Sequence, residues 1–360
     1  MRPATFLKTS DSSETAVAPH CAEQLDAIVA CLRIEMPGTI CYGDLDPIKI
    51  VQTAPGSAFT PYGGPMTEAL TNLIYHYGYT RAFTASPREL AHKLGEAVNV
   101  TPDMEFFSKL SVANRSRERW DSTWRVYQAG TNGVLSIEKR STHREAIPGQ
   151  YIFPNSPGRV PATGDYVSVR VPKESSIVQP GFYFAFGETV ASDFDDALLA
   201  RFYFNMTPDA VPELLEWLST DLNRYRIPYR FKCLLQASLY DRRDSVVLYI
   251  AKRFLSPFLR LASARKSALE SILCEGVPLF TKPLLRGLGA ADEPGGGLSF
   301  GQSRSRLVAE GILAAWMAGE QSHKEKLDRI DARFRAAGMS LLTPYLNEGA
   351  RDLYVWQSEN

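Results

Sequence analysis

Between Ala200 and Ile250 the hydrophobic period of the chain changes from strand to helix and back, and proline marks each change. Phe202, Tyr203 and Phe204 form an aromatic run of strand character that ends at Asn205. Thr207-Pro208 then opens a helix, because proline's missing N–H goes unpaired in a first helical turn anyway. Leu214, Leu215, Leu218 and Leu222 recur at helical spacing and form one apolar face. Ile227-Pro228 ends that helix. A basic strand follows from Tyr229 to Leu235 with Lys232 at its centre, then a turn, Tyr240-Asp241-Arg242-Arg243-Asp244. Val246 to Ile250 reads as a buried strand. Lys232 and Arg242 therefore flank one connection between neighbouring strands. Cations on rigid sheet elements suit an anion site; exposed strand and loop charges are the plainer reading of the same spacing.

The rest of the chain reads as helices first and strands after. Residues 1–20, rich in Ser, Thr and Ala, are expected to form a flexible leader. The spacing of Leu25, Ile28, Val29 and Leu32 predicts a helix over 21–35, broken at Pro37-Gly38. A Pro/Gly loop at 52–65 and helices over 66–77, 87–97 and 102–113 complete a helical N-terminal part, 21–115. From Trp124 the texture turns to strands. Trp124–Tyr127 and Val134–Ile137 flank Asn132-Gly133, a strong hairpin signal. A proline-rich loop at 145–164 precedes strands at 165–171 and 182–186. After Ile250 come a helix at 256–273, a loop at 274–297 containing Gly295-Gly296-Gly297, and helices at 302–318 and 322–337. The expected fold class is α+β: a helical N-terminal part followed by a mostly antiparallel sheet with flanking helices, over an α+β domain at 116–360.

Composition excludes several function classes. The 360 residues carry 40 basic and 40 acidic side chains, a balance that suggests neither a nucleic-acid nor a membrane-surface partner. No apolar run approaches the ~20 residues of a membrane span. Five scattered cysteines, an odd number, argue against a disulfide framework and for a reducing cytoplasm. The histidines are His20, His76, His92, His143 and His323, so the segment 144–322 has none, and a zinc site is not expected. Nucleophile elbow, Walker loop and dinucleotide fingerprint are all missing, and no cofactor is expected.

What remains is basic and aromatic. Lys232, Arg242, Arg304, Arg201, Arg170 and Lys173 sit on or beside predicted strands or helix starts. Arg304 is in a first helical turn, where backbone N–H groups also attract anions. Arginine offers a fork for phosphate, and a lysine held among arginines has a lowered pKa and can act as a general base near neutral pH. Such a set suits removal of a weakly acidic Cα proton and expulsion of phosphate.

The residues Ile227, Pro228, Lys232, Tyr240, Arg242, Asp244 and Val247-Leu248-Tyr249 form a pattern that resembles the HopA family of type III secretion effectors. Two further blocks match: Ser299-Phe300-Gly301-Gln302-Ser303-Arg304, and Leu110–Asn114 followed by Trp120 and Trp124. The resemblance runs from about residue 60 to the C-terminus. The same domain recurs as a lyase in gene clusters for class V lanthipeptides and thioamitide-type peptides. It implies β-elimination of phosphate from phosphoserine or phosphothreonine in a ribosomal precursor peptide, after a separate Ser/Thr kinase has acted. In that scheme Lys232 takes the α-proton, and Arg242, Arg304, Arg201, Lys173 and Arg170 hold the phosphate. The general acid stays open among His143, Tyr240 and Lys173. Two other readings stay open as well: a non-catalytic effector that binds a host immune protein, and a partner protein of a kinase.

Overall fold

In the computed structural model, residues 19–35, 38–50, 63–84, 86–88, 91, 103–140 and 142–356 are described. The early elements are α1 (Pro19–Cys31), β1 (Leu32–Glu35), β2 (Thr39–Tyr42), β3 (Ile48–Lys49), α2 (Pro65–Ile74) and α3 (Met104–Ala113). Strands follow: β4 (Arg119–Ala129), β5 (Leu135–Lys139), β6 (Thr142–Ala146), β7 (Tyr151–Ile152), β8 (Tyr166–Val171), β9 (Glu174–Ser175) and β10 (Phe182–Phe186). The central stretch gives α4 (Asp193–Ala197), β11 (Leu199–Phe204), α5 (Val211–Arg224), β12 (Tyr229–Leu234) and β13 (Val246–Ala251). The chain closes with α6 (Leu255–Ser263), α7 (Lys266–Ile272), β14 (Lys282–Leu285), β15 (Leu288–Asp292), α8 (Phe300–Met317) and α9 (His323–Ala336). The fold is mixed α and β with antiparallel strand pairing, as the sequence predicts.

The chain divides into two compact units, and the expected boundary at 115/116 falls inside the second of them. One comprises residues 1–79, 83–89 and 301–350. It holds the three-stranded sheet β1-β2-β3, α1 packed on α9, and α8. Helices α8 and α9 approach closely at Gly311, where an added Cβ would lie 2.5 Å from the Ile330 backbone. The other unit comprises residues 80–82, 90–300 and 351–360. It contains a seven-stranded sheet, β14-β15-β11-β13-β12-β10-β9, and a five-stranded sheet, β6-β5-β4-β8-β7.

Several elements depart from the predicted pattern, each for a local reason. The predicted helix over 21–35 stops at Cys31: Leu32 and Ile34 are buried while Arg33 and Glu35 are exposed, a period of two that makes a strand. The helix predicted over 66–77 gives way at Tyr75 to a wider π turn, Tyr75–Tyr79. Residues 256–273 break into α6 and α7 around Ala264 and Arg265. The predicted loop at 274–297 contains the hairpin β14-β15, which extends the large sheet. Its inner strand, Leu-Gly-Ala-Ala-Asp, has no β-branched or aromatic residue to announce it. The leader at 1–20, the loop at 52–65 and the helix at 87–97 lie wholly or mostly outside the described residues.

The large sheet has one core face. Ala200, Phe202, Phe204, Phe231, Leu248 and Ile250 alternate onto it, all fully buried. Phe202 meets Phe258 of α6 at 4.5 Å between ring centres. Each of these large side chains contributes about 1.5–3 kcal/mol by leaving water, which makes β11, β12 and β13 a rigid platform.

Candidate functional site

Because side chains alternate along a strand, the residues between those core positions point to the opposite face. Strand register then fixes their neighbours across the sheet. Arg201, Tyr249, Arg230 and Phe186 lie in one row over β11, β13, β12 and β10. Tyr203, Val247, Lys232 and Phe184 form the next. The sheet thus presents a cationic and aromatic face opposite its core.

Lys232 is half-buried at the centre of this face. Its Nζ donates to Gln179 Oε1 at 2.7 Å and lies 3.8 Å from the centre of the Phe182 ring. Burial lowers its pKa most; the charges of Arg201, Arg242 and Arg230 lower it further, and Asp244 opposes them. The amine comes down to about 8, against about 10.4 for a free lysine. A measurable share of it is therefore unprotonated near neutral pH, as a base requires.

The guanidiniums around it are occupied to different degrees. Arg201, 8% exposed, pairs through two hydrogen bonds with Glu293 and lies over the Tyr249 ring. Arg242 is forked onto Asp244 at 2.8 and 2.9 Å. Arg230 stacks 4.4 Å above the centre of the Tyr249 ring and makes no ion pair among the described residues.

The other predicted site residues have partners of their own. Arg304 is buried, 1% exposed, and belongs to the other unit. Its Nε donates to the Pro344 carbonyl at 2.7 Å, and one Nη donates to Leu346 O at 2.9 Å and Asn347 Oδ1 at 3.0 Å. A side chain spent on carbonyls secures a loop and is less available to a phosphate. Lys173 donates to Ser111 O at 2.8 Å and ties the start of β9 to the end of α3. Arg170 forks onto Glu118 on the five-stranded sheet. His143 lies on β6, an edge strand of that sheet, 3.7 Å from a Glu138 oxygen. Tyr240 is buried, and its hydroxyl donates to Leu234 O at 2.9 Å. Burial, reinforced by Cys233, pushes that hydroxyl well above the ordinary phenol range. None of the three general-acid candidates is held against the Lys232 amine.

Sequence reasoning passed over Arg230 and Arg119, and named Tyr249 only within the motif that carries the resemblance. Arg230 was legible, because it precedes Lys232 by two positions on one strand and must share its face. Arg119, at the start of β4 on the other sheet, carries no such signal. Arg119, Arg230, Tyr249 and Phe186 line a cavity of about 180 Å³. Among the described residues, no group of three or more His, Cys, Asp or Glu side chains is placed to hold a metal ion, and no helix is long and apolar enough to cross a membrane.

Comparison with known proteins gives one family. Residues 173–346 match the HopA1 effector protein family, a span that holds Lys173, Arg201, Lys232, Tyr240, Arg242 and Arg304 but neither His143 nor Arg170. Among solved structures, the chain is similar to an effector protein from Pseudomonas syringae pv. tomato, with 16% identity, a TM-score of 0.42, and coverage of 79% of this chain and 96% of that one. An effector protein from Pseudomonas syringae pv. syringae gives 13% identity, a TM-score of 0.40, and coverage of 79% and 98%. No curated protein matches the chain.

Proposed function

Given that residues 173–346 of this chain match the HopA1 effector protein family, we propose that it is a phosphoserine/phosphothreonine lyase. Its substrate would be a ribosomal precursor peptide phosphorylated by a separate kinase, and its product dehydroalanine or dehydrobutyrine. The observation that carries this reading is Lys232: an amine on a rigid strand, half-buried among Arg201, Arg230 and Arg242, and brought down to about 8. The resemblance of the Lys232–Tyr249 motifs to the lanthipeptide lyases points the same way.

The step would balance as follows. The neutral Lys232 amine takes the Cα proton. The C–H electron pair becomes the Cα=Cβ bond as the Cβ–O bond breaks. Phosphate leaves with that bond's electrons and is stabilised by guanidinium charge. With Tyr240 and Lys173 bonded elsewhere and His143 on an edge strand of the five-stranded sheet, solvent supplies the leaving group's proton. The test is mass spectrometry of a phosphorylated precursor peptide incubated with the protein. Loss of phosphate with appearance of a thiol-trappable alkene supports the reading; an unchanged peptide across candidate substrates overturns it.

A second reading is a non-catalytic effector that acts inside a host cell by binding an immune protein. The closed pairs Arg201–Glu293 and Arg242–Asp244 favour it, because groups already neutralised by carboxylates are less available to a phosphate. Retention of host-protein binding by Lys232→Ala, together with absence of elimination in the wild type, would select it.

A further inference from the structure

We propose that the cavity lined by Arg119, Phe186, Arg230 and Tyr249 in the second unit is a phosphoryl-binding subsite in which Arg119 and Arg230 hold the phosphate of a phosphoserine or phosphothreonine side chain. It deepens the lyase reading and rests on it only for the source of the phosphate.

Three observations carry the inference. First, the two arginines that line the cavity have no carboxylate partner among the described residues. Arg201, Arg242 and Arg170 are each forked onto a carboxylate, whereas neither Arg119 nor Arg230 has an ion pair among the described residues. The Arg119 Nε is buried with no hydrogen-bond partner among the described residues. A buried donor left unsatisfied is costly, and a bound oxygen removes that cost. Second, the cavity has the size of a side-chain group. At about 180 Å³ it falls below the ~300–1,000 Å³ of pockets for drug-sized ligands. Phe186, Leu199 and Tyr249 form apolar wall, which strengthens a charge-assisted bond by excluding water. Third, Arg230 is held in place by stacking on Tyr249, and two arginine forks match the oxygens of a phosphate better than one.

Two carboxylates also line the cavity, and neither cancels this charge. Asp195 is forked by Arg253 and accepts from Ser192. Asp196 is exposed at the rim, where solvent and salt screen it. Arg230 stands two residues before Lys232 on β12, so a phosphate in the cavity brings its peptide onto the face that carries the lysine.

The test is isothermal titration of the full chain with inorganic phosphate and with O-phosphoserine. Both should bind the wild type, and Arg119→Gln and Arg230→Gln should each weaken both by about tenfold or more. Arg230→Lys, which keeps the charge and loses the fork, should fall between and guards against a misfolded Gln variant. Unchanged binding in both Gln variants, or no phosphate binding by the wild type, overturns the subsite. Elimination by the wild type alongside unaffected phosphate binding in both variants would reject the subsite and leave the lyase standing. Phosphate binding that depends on both arginines, with no elimination on any phosphopeptide, would reject the lyase and leave the subsite standing.

Discussion

Arg242 and Asp244 are locked together by two hydrogen bonds of 2.8 and 2.9 Å, and the two halves of the pair act on Lys232 in opposite directions. The guanidinium disfavours the charged amine and the carboxylate favours it. Neutralising the carboxylate alone should therefore lower the lysine pKa below about 8 and shift the pH–rate midpoint to lower pH by up to about one unit. Asp244→Asn tests this, and a midpoint that stays where it is would show that Lys232 does not feel the carboxylate.

Lys232→Ala should abolish elimination while phosphopeptide binding largely survives on the arginines. Loss of a positioned general base typically costs ~10²–10⁴-fold in rate. Mass-spectrometric turnover and a separate binding titration give the two numbers. Equal turnover in variant and wild type removes the base role; binding abolished by this variant alone makes Lys232 a phosphate contact instead.

The pH dependence has a definite sign. Only the unprotonated amine accepts a proton, so the rate should rise with pH and level off above about 8, where an unperturbed lysine would still be charged. Stability follows the same group. Between about 8 and 10.4 the unfolded chain holds a proton that the folded chain has released, so this lysine makes stability rise with pH through that window. Lys232→Met should flatten that rise in denaturant titrations at several pH values.

Arg304 should prove a stability residue. Arg304→Ala strips partners from the carbonyls of Pro344 and Leu346 and from Asn347 in a buried place. The cost should be about 3 kcal/mol or more, read as an earlier denaturant midpoint. Arg304→Lys should recover little, because an ammonium cannot reproduce the fork. Wild-type stability combined with lost phosphate binding would return Arg304 to the list of phosphate contacts.

The sequence by itself determined β11, α5, β12 and β13, because each is specified by neighbours close in the chain: alternating apolar residues, the leucine stripe 214–222, and prolines at the ends. It likewise placed Lys232 on a strand beside arginines. Only the tertiary structure decided which cations remain available. Arg201 meets a carboxylate 92 residues away, and Arg304 meets carbonyls 40 and 42 residues away, pairings that no local pattern encodes. The hairpin β14-β15 was hidden for the same reason: strand pairing with β11 holds residues whose own propensities are weak. Periodicity is a property of a few consecutive residues, whereas partnership depends on which distant segments the fold brings into register. A chain can therefore announce its charged strand while concealing which of its arginines are already taken.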